Sequence, residues 1–183
     1  DGRWHFQHGP IDLIIQAHGQ ADAVARAHEN AWNRFAGVLQ ELVDELPALR
    51  TPICLADSCT LRGAVARRMW AACAPFRTNF VTPMASVAGS VAQEILQCYV
   101  HQGIDRAWVN NGGDIALHLA DGQDAVVGVV ADVAALRRAP VQPAGWLLDG
   151  QIRIASTMPV RGVATSGWRG RSQSLGIADS VTV

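Results

Sequence analysis

One change of pattern, near Gly103, constrains this chain more than any other feature of its sequence. Upstream of it, apolar residues recur at three- and four-residue steps. Val24, Ala27, Ala31, Phe35, Val38, Leu42 and Leu46 fall on one face, which predicts a long helix from about Ala21 to Leu46 that ends at Pro47. Downstream, the runs "RAWVN", "DIALHLA", "AVVGVVA", "GWLLDGQIRIA", "VRGVATS" and "LGIADSVTV" are short and β-rich, with turns such as Asp121-Gly122 and Asp149-Gly150 between them. Two-residue turns join antiparallel neighbours. The opening "RWHFQHGPIDLIIQA" reads as two further strands around Gly9-Pro10. The expected class is therefore α+β, antiparallel sheets packed with helices.

Two more helices are expected before the change. Thr60 can cap one that runs to about Cys73, where Pro75 stops it. The other opens on Thr82 as N-cap and Pro83 as first helical residue and continues to about residue 102. Its first half is nearly all small: Ala85, Ser86, Ala88, Gly89, Ser90 and Ala92. A glycine inside a helix costs about 1 kcal/mol relative to alanine, so something must approach closely there. That something is either a tightly packed sheet or a ligand lying across the helix N-terminus, where N–H groups favour anions.

Composition removes several function classes. With 49% hydrophobic and 17% charged residues, the 183-residue chain can bury a core, and its net charge of −1 gives no general pull towards nucleic acid or an anionic membrane. All 15 basic residues are arginine, which excludes Schiff-base and lysine-phosphate chemistry within the chain. No apolar run reaches the roughly 18 residues of a membrane span and no basic-then-apolar leader opens the chain, so the expectation is a soluble, cytoplasmic protein with no membrane partner. Cys54, Cys59, Cys73 and Cys98 show neither paired metal-ligand spacing nor secreted-type density, although "CLADSC" could supply two ligands. Nucleotide-binding, metalloprotease and hydrolase signatures are missing.

Two segments carry the candidate chemistry. "WVNNGGDIALHL" places Asn110, Asn111, Gly112, Gly113 and Asp114 between two apolar runs, either as a hairpin turn or as backbone bent towards a ligand with Asp114 aimed at it. Asp114 and His118 share a strand face but stand about 13 Å apart, too far for a direct dyad. From Gly150 to Ala178 there are four arginines, Arg153, Arg161, Arg169 and Arg171, and no carboxylate. Its centre, "RGVATSGWRGRSQS", mixes glycines, hydroxyls, Trp168 and two guanidiniums, the makings of an oxyanion or phosphate cradle.

These pieces, in this order, resemble the ApbE-like superfamily, whose best-known members are FAD:protein FMN transferases. The closer likeness is to a branch carrying "TPMASVAG" (82–89), "VNNGGDIA" (109–116) and "RGVATSGWRGRSQSLGIADSVTV" (161–183), with "HGPIDLII" and "ARRM" also similar. The resemblance implies a duplicated, T-fold-like arrangement. It also implies a flavin-nucleotide site, FAD or FMN, lined by Ala85 and Gly89, by Asn111, Gly112, Gly113 and Asp114, and by Thr165, Ser166 and Gly167, with Thr82 at a motif position and Arg169 and Arg171 beside them.

The chain also departs from the transferases. They carry an Asp and a Lys where this chain has Thr82 and Ala88, and their HxxDPxTG stretch is replaced by "WRGRSQSLGIAD". Their magnesium-binding Asp and Thr follow the SVTV strand, so any magnesium ligands are expected beyond Val183. Residues 1–183 are thus expected to form a single ApbE-like domain lacking a C-terminal helix. Two functions follow: a pocket for a flavin nucleotide or another phosphorylated, anionic ligand, with transferase-like chemistry if it is an enzyme, or a non-catalytic accessory protein that uses the fold for protein contacts, a homodimer among them.

Overall fold

The structure, a computed structural model, describes residues 2–130, 148, 150–166 and 181–182. Strands β1 (Trp4–His8) and β2 (Ile11–Gly19) form a hairpin across Gly9-Pro10, with His8 opposite Ile11. Helix α1 (Ala21–Asp44) follows and buries Ala23, Ala27, Ala31, Phe35, Val38 and Leu42, close to the expected stripe. It stops at Asp44, earlier than the sequence suggests. Pro47 lies in the first turn of the short α2 (Leu46–Leu49), where its missing N–H leaves no bond unmade.

Helix α3 (Ala64–Cys73) begins three residues later than a Thr60 cap would place it. The capping group is instead the Glu45 carboxylate, which accepts from the Arg62 and Gly63 N–H groups, each at 2.7 Å. A Cβ at Gly63 would stand 2.9 Å from Glu45 Oε1, so the glycine makes room for its own cap.

The expected helix over 83–102 is three pieces: a 3-10 turn at Pro83–Ser86, helix α4 (Val87–Leu96) and a second 3-10 turn at Gln97–Tyr99. Ser86 breaks the run with φ −112° and ψ 15°, and its hydroxyl reaches the carbonyls of Met69 and Pro83 at 3.1 and 3.2 Å. Thr82 precedes the 3-10 turn without capping it through its side chain.

Beyond α4, β3 (Ile104–Asn111) and β4 (Asp114–Leu119) form a second hairpin, and β5 (Asp124–Val129) pairs with β6 (Gly150–Ala155). The two-residue strands β7 (Gly162–Val163), β8 (Thr165–Ser166) and β9 (Val181–Thr182) complete the described strands. The main sheet is antiparallel throughout, in the order β1-β2-β3-β4-β7. Alternation along its strands sends Leu13, Ile15, Ala107, Val109 and Ala116 to the helix-covered face, where they join the α1, α3 and α4 side chains in the main core. On the other face Leu117, Leu119 and Val163 pack against Ala125 and Ile154 of the β5–β6 ribbon. This is the α+β class expected from the sequence. No described helix is long and apolar enough to cross a membrane.

Candidate functional site

The Asn-Asn-Gly-Gly-Asp segment is a two-residue hairpin turn, with Asn111 opposite Asp114 and Gly112 and Gly113 at φ +64° and +110°. Both angles favour glycine, and successive positive values are what a hairpin of this length demands. The turn is also a bracket. Asn110 Oδ1 accepts from Gly113 N–H at 2.9 Å, and Thr165 Oγ1 donates to the Gly113 carbonyl at 2.8 Å. A Cβ on Gly113 would lie 2.7 Å from that hydroxyl, so the close approach inferred from the sequence is, at this glycine, an approach by Thr165. Gly112 faces open space.

The same bracket fixes the start of α4. Asn111 Nδ2 donates to the Ala88 carbonyl at 3.1 Å. Asp114 accepts from the backbone N–H of Thr165 at 3.3 Å and lies against the backbone of Gly89, the third residue of the helix, whose N–H also favours the charged carboxyl. Because the Ser86 hydroxyl is engaged elsewhere, Asp114 supplies from a neighbouring strand the carboxylate that a local cap would otherwise provide. The small-residue helix N-terminus therefore receives an anion from its own chain. Burial pushes the Asp114 carboxyl above the usual carboxylate range, and the two N–H donors oppose that rise without cancelling it.

In front of this bracket lies a cleft of about 700 Å³ between α4 and the β4–β7 edge. One wall is Ala85, Ser86, Gly89 and Ser90; the other is Asp114 to His118 with Gly162, Val163 and Ala164; Arg68 and Arg161 also line it. The two arginines differ in what they have left to offer. Arg161 directs its guanidinium at the carbonyls of Ser156, Met158 and Val160, folding its own loop. Among the described residues Arg68 uses only Nη1, towards Ser90 O at 3.3 Å and Glu94 Oε2 at 2.8 Å. His118 Nε2 lies 3.2 Å from the Ile104 carbonyl.

The residues singled out in the sequence thus divide. Ala85, Gly89 and Asp114 line the cleft, while Asn111, Gly113 and Thr165 form the bracket behind it. Gly112 and Thr82 stand outside the lining, and Ser166 pairs in β8 with Val181. Gly167, Trp168, Arg169 and Arg171 lie outside the described residues, as do Val183 and the 167–174 part of the expected cradle. Arg153, counted in the arginine-rich segment, pairs with Asp124 across the β5–β6 ribbon. Sequence reasoning missed Arg68, whose only signal was the "ARRM" similarity. Among the described residues no three His, Cys, Asp or Glu side chains gather as a metal site.

Over residues 1–183 the chain matches the family model described as AbpE bacteria, an ApbE-like family, and the chain belongs to that family. It is also similar to UPF0280 proteins of archaea. It is 35% identical to that of Methanothrix thermoacetophila over 104 residues, which make up 56% of this chain and 38% of the relative. Identity is 39% over 104 residues, 56% of this chain and 36% of the relative, for Methanothermobacter thermautotrophicus. For Archaeoglobus fulgidus it is 31% over 121 residues, 66% and 43% of the two chains. The chain therefore spans less than half the length of these relatives.

Proposed function

We propose that the cleft between α4 and β4–β7 binds a flavin nucleotide or another small phosphorylated anion. The observation that carries this reading is the pairing of a wall of small side chains with a guanidinium at the same cleft. Ala85 and Gly89 leave room for a flat group against apolar strand residues, and Arg68 can meet a negative charge. A Cβ on Gly89 would come 3.6 Å from Asp114 Oδ2, narrowing that passage. A flavin, when bound, would supply its own redox or group-transfer chemistry; the chain's residues hold and orient it. Asp114 and His118 are both engaged by backbone groups, so binding is the part of the reading the residues support.

The test is direct. Titration of the purified protein with FMN, followed by quenching of flavin fluorescence, should saturate with one site per chain. No saturation with FMN, FAD or inorganic pyrophosphate would remove the reading.

A second reading, assembly, rests on a different surface. Trp4 and Trp32 are 49% and 52% exposed beside β1, an outer strand of the sheet. Outer strands present unpaired backbone groups, and exposed aromatics are enriched at protein contacts. Light scattering on the purified protein decides this one: a monomer at all concentrations would count against a homodimer.

A further inference from the structure

Four charged side chains join α1, α3 and α4 behind the cleft. Arg34 grips both oxygens of Glu41 at 2.8 Å and gives its Nε–H to Glu94 Oε1 at 2.8 Å. The other Glu94 oxygen takes Arg68 Nη1 at 2.8 Å. Glu94 is only 13% exposed, and it lies between two guanidiniums whose charge it shares. Burial would raise this carboxyl, but the hydrogen bonds from Arg34 and Arg68 hold it below the usual range. The set of two arginines and two glutamates is formally neutral.

The consequence for Arg68 is geometric. Its Nη1 is committed to Glu94 and to the Ser90 carbonyl, so both contacts fall at one end of the fork. Among the described residues no acceptor reaches Nε or Nη2. Those two groups form the side-on edge of a guanidinium, which matches two oxygens of a phosphate in a single plane. Without Glu94 the long side chain would have several rotamers, and Arg34 would repel it.

We infer that Glu94 is a positioning residue that holds Arg68 with its side-on edge presented to the phosphate of the cleft ligand. This rests on the binding reading above and deepens it. It places the phosphate end at α3, on a residue that belongs to neither the glycine turn nor the arginine-rich segment beyond Thr165. It also opposes the simplest electrostatic expectation. Glu94 is a negative charge beside an anion site, so on charge alone its neutralisation should strengthen phosphate binding. If position dominates, neutralisation should weaken it.

FMN and riboflavin share a ring system and differ by the phosphate, so their affinity ratio isolates the phosphate contact. In the wild-type protein FMN should bind at least about tenfold more tightly than riboflavin. Arg68→Ala should abolish most of that preference, and Glu94→Gln should weaken FMN binding several-fold while leaving riboflavin unchanged. In an Arg68→Ala background, Glu94→Gln should add nothing, since it acts through Arg68. Tighter FMN binding by Glu94→Gln, or an additive double variant, would overturn the inference. Arg68→Lys keeps the charge without the fork and should still lose the phosphate preference; its retention would also overturn the idea, even if Glu94→Gln failed to fold. A wild-type protein that binds no flavin or pyrophosphate sinks the binding reading itself. A wild type that prefers FMN regardless of residue 68 leaves that reading standing and removes only the role given to Arg68 and Glu94.

Discussion

Two helices cover the same sheet in opposite ways. Where α1 crosses β1 and β2, the contact is aromatic: Phe6 meets Phe35 and Trp32 with ring centroids 5.4 and 5.2 Å apart, and Trp4 stacks on His28 at 4.5 Å. Where the first turns of α4 pass β4, the helix presents glycine, alanine and serine and a carboxylate lies against its backbone, while Val91 and Ile95 beyond them pack into the core. The first fills its space with side chains. The second holds strand and helix close at one point, Asp114 to Gly89, and leaves a cleft alongside. Stability and accessible surface are thus handled by different ends of one sheet.

Substitutions can break that contrast. The largest effect is expected from Phe35→Ala, since Phe35 is 1% exposed and joins the aromatic contact to the main core. A loss of about 3–5 kcal/mol in urea denaturation is the usual scale for such a cavity. FMN binding per folded molecule should not change.

Next comes Gly113→Ala on the opposite side. A side chain at φ +110° is strained, and its Cβ would collide with Thr165 Oγ1. The expected loss is about 1–3 kcal/mol, this time with weakened FMN binding because Asp114 moves with the turn. Equal binding would mean that the bracket and the cleft are independent.

The two regions should also answer pH with opposite signs. His28 is buried, with Nδ1 2.8 Å from the Tyr99 hydroxyl, and burial lowers its pKa from 6.5. The folded state therefore binds that proton less readily than the unfolded chain. Its contribution is fully present above pH 6.5 and is lost as pH falls below that value towards the depressed one. Asp114 runs the other way. Its raised folded pKa means stability is highest with the carboxyl protonated and declines as pH rises from its ordinary 3.8 through the raised value. Urea midpoints measured from pH 3.5 to 8 should show the first slope flattened by His28→Gln and the second by Asp114→Asn. A His28→Gln profile parallel to wild type between pH 5 and 6.5 would remove the histidine from the account.

The smallest effect sharpens the comparison most. Gly89→Ala should stabilise the protein by up to about 1 kcal/mol through helix propensity, since its Cβ meets only Asp114 Oδ2 at ordinary contact distance. The same methyl faces the cleft, so FMN affinity should fall. A variant that is more stable and binds worse would separate the helix's interest from the site's.

Much of this was legible in the chain itself. The α1 stripe could be read because its period depends only on neighbours three and four residues away. The hairpin at Asn111–Asp114 is one of two readings its sequence leaves open, because the same run of Asn and Gly suits a tight turn and a close approach to a ligand. What could not be read depends on groups brought together by folding. Glu45 caps a helix 18 residues further on, and Asp114 serves as a cap for Gly89 in place of Ser86. Arg153 pairs across a ribbon with Asp124. Nothing in its local sequence sets Arg68 apart, and its constraint comes from Glu94 and Ser90 on another helix. Local periodicity predicts elements, whereas caps and charge partners supplied from elsewhere are properties of the assembled chain.

The Asp114 carboxylate has one more implication, and it concerns time. It joins an amide 25 residues upstream to one 51 residues downstream, while β7 adds only two paired positions to the strand beside it. The β1–β2 and β3–β4 hairpins each close over two residues and can form early. The β2–β3 pairing closes a longer loop, from Leu13 to Asn111, but rewards it with seven paired positions, whereas the Asp114–Thr165 contact closes its loop for the two of β7. The cleft should therefore be the last part of the molecule to assemble. Pulse-labelling of amide protons during refolding would show the Thr165 N–H protected after those of β2 and β3. A newly made chain would then acquire its hydrophobic core before its site, and any ligand would meet a protein already folded everywhere except where it binds.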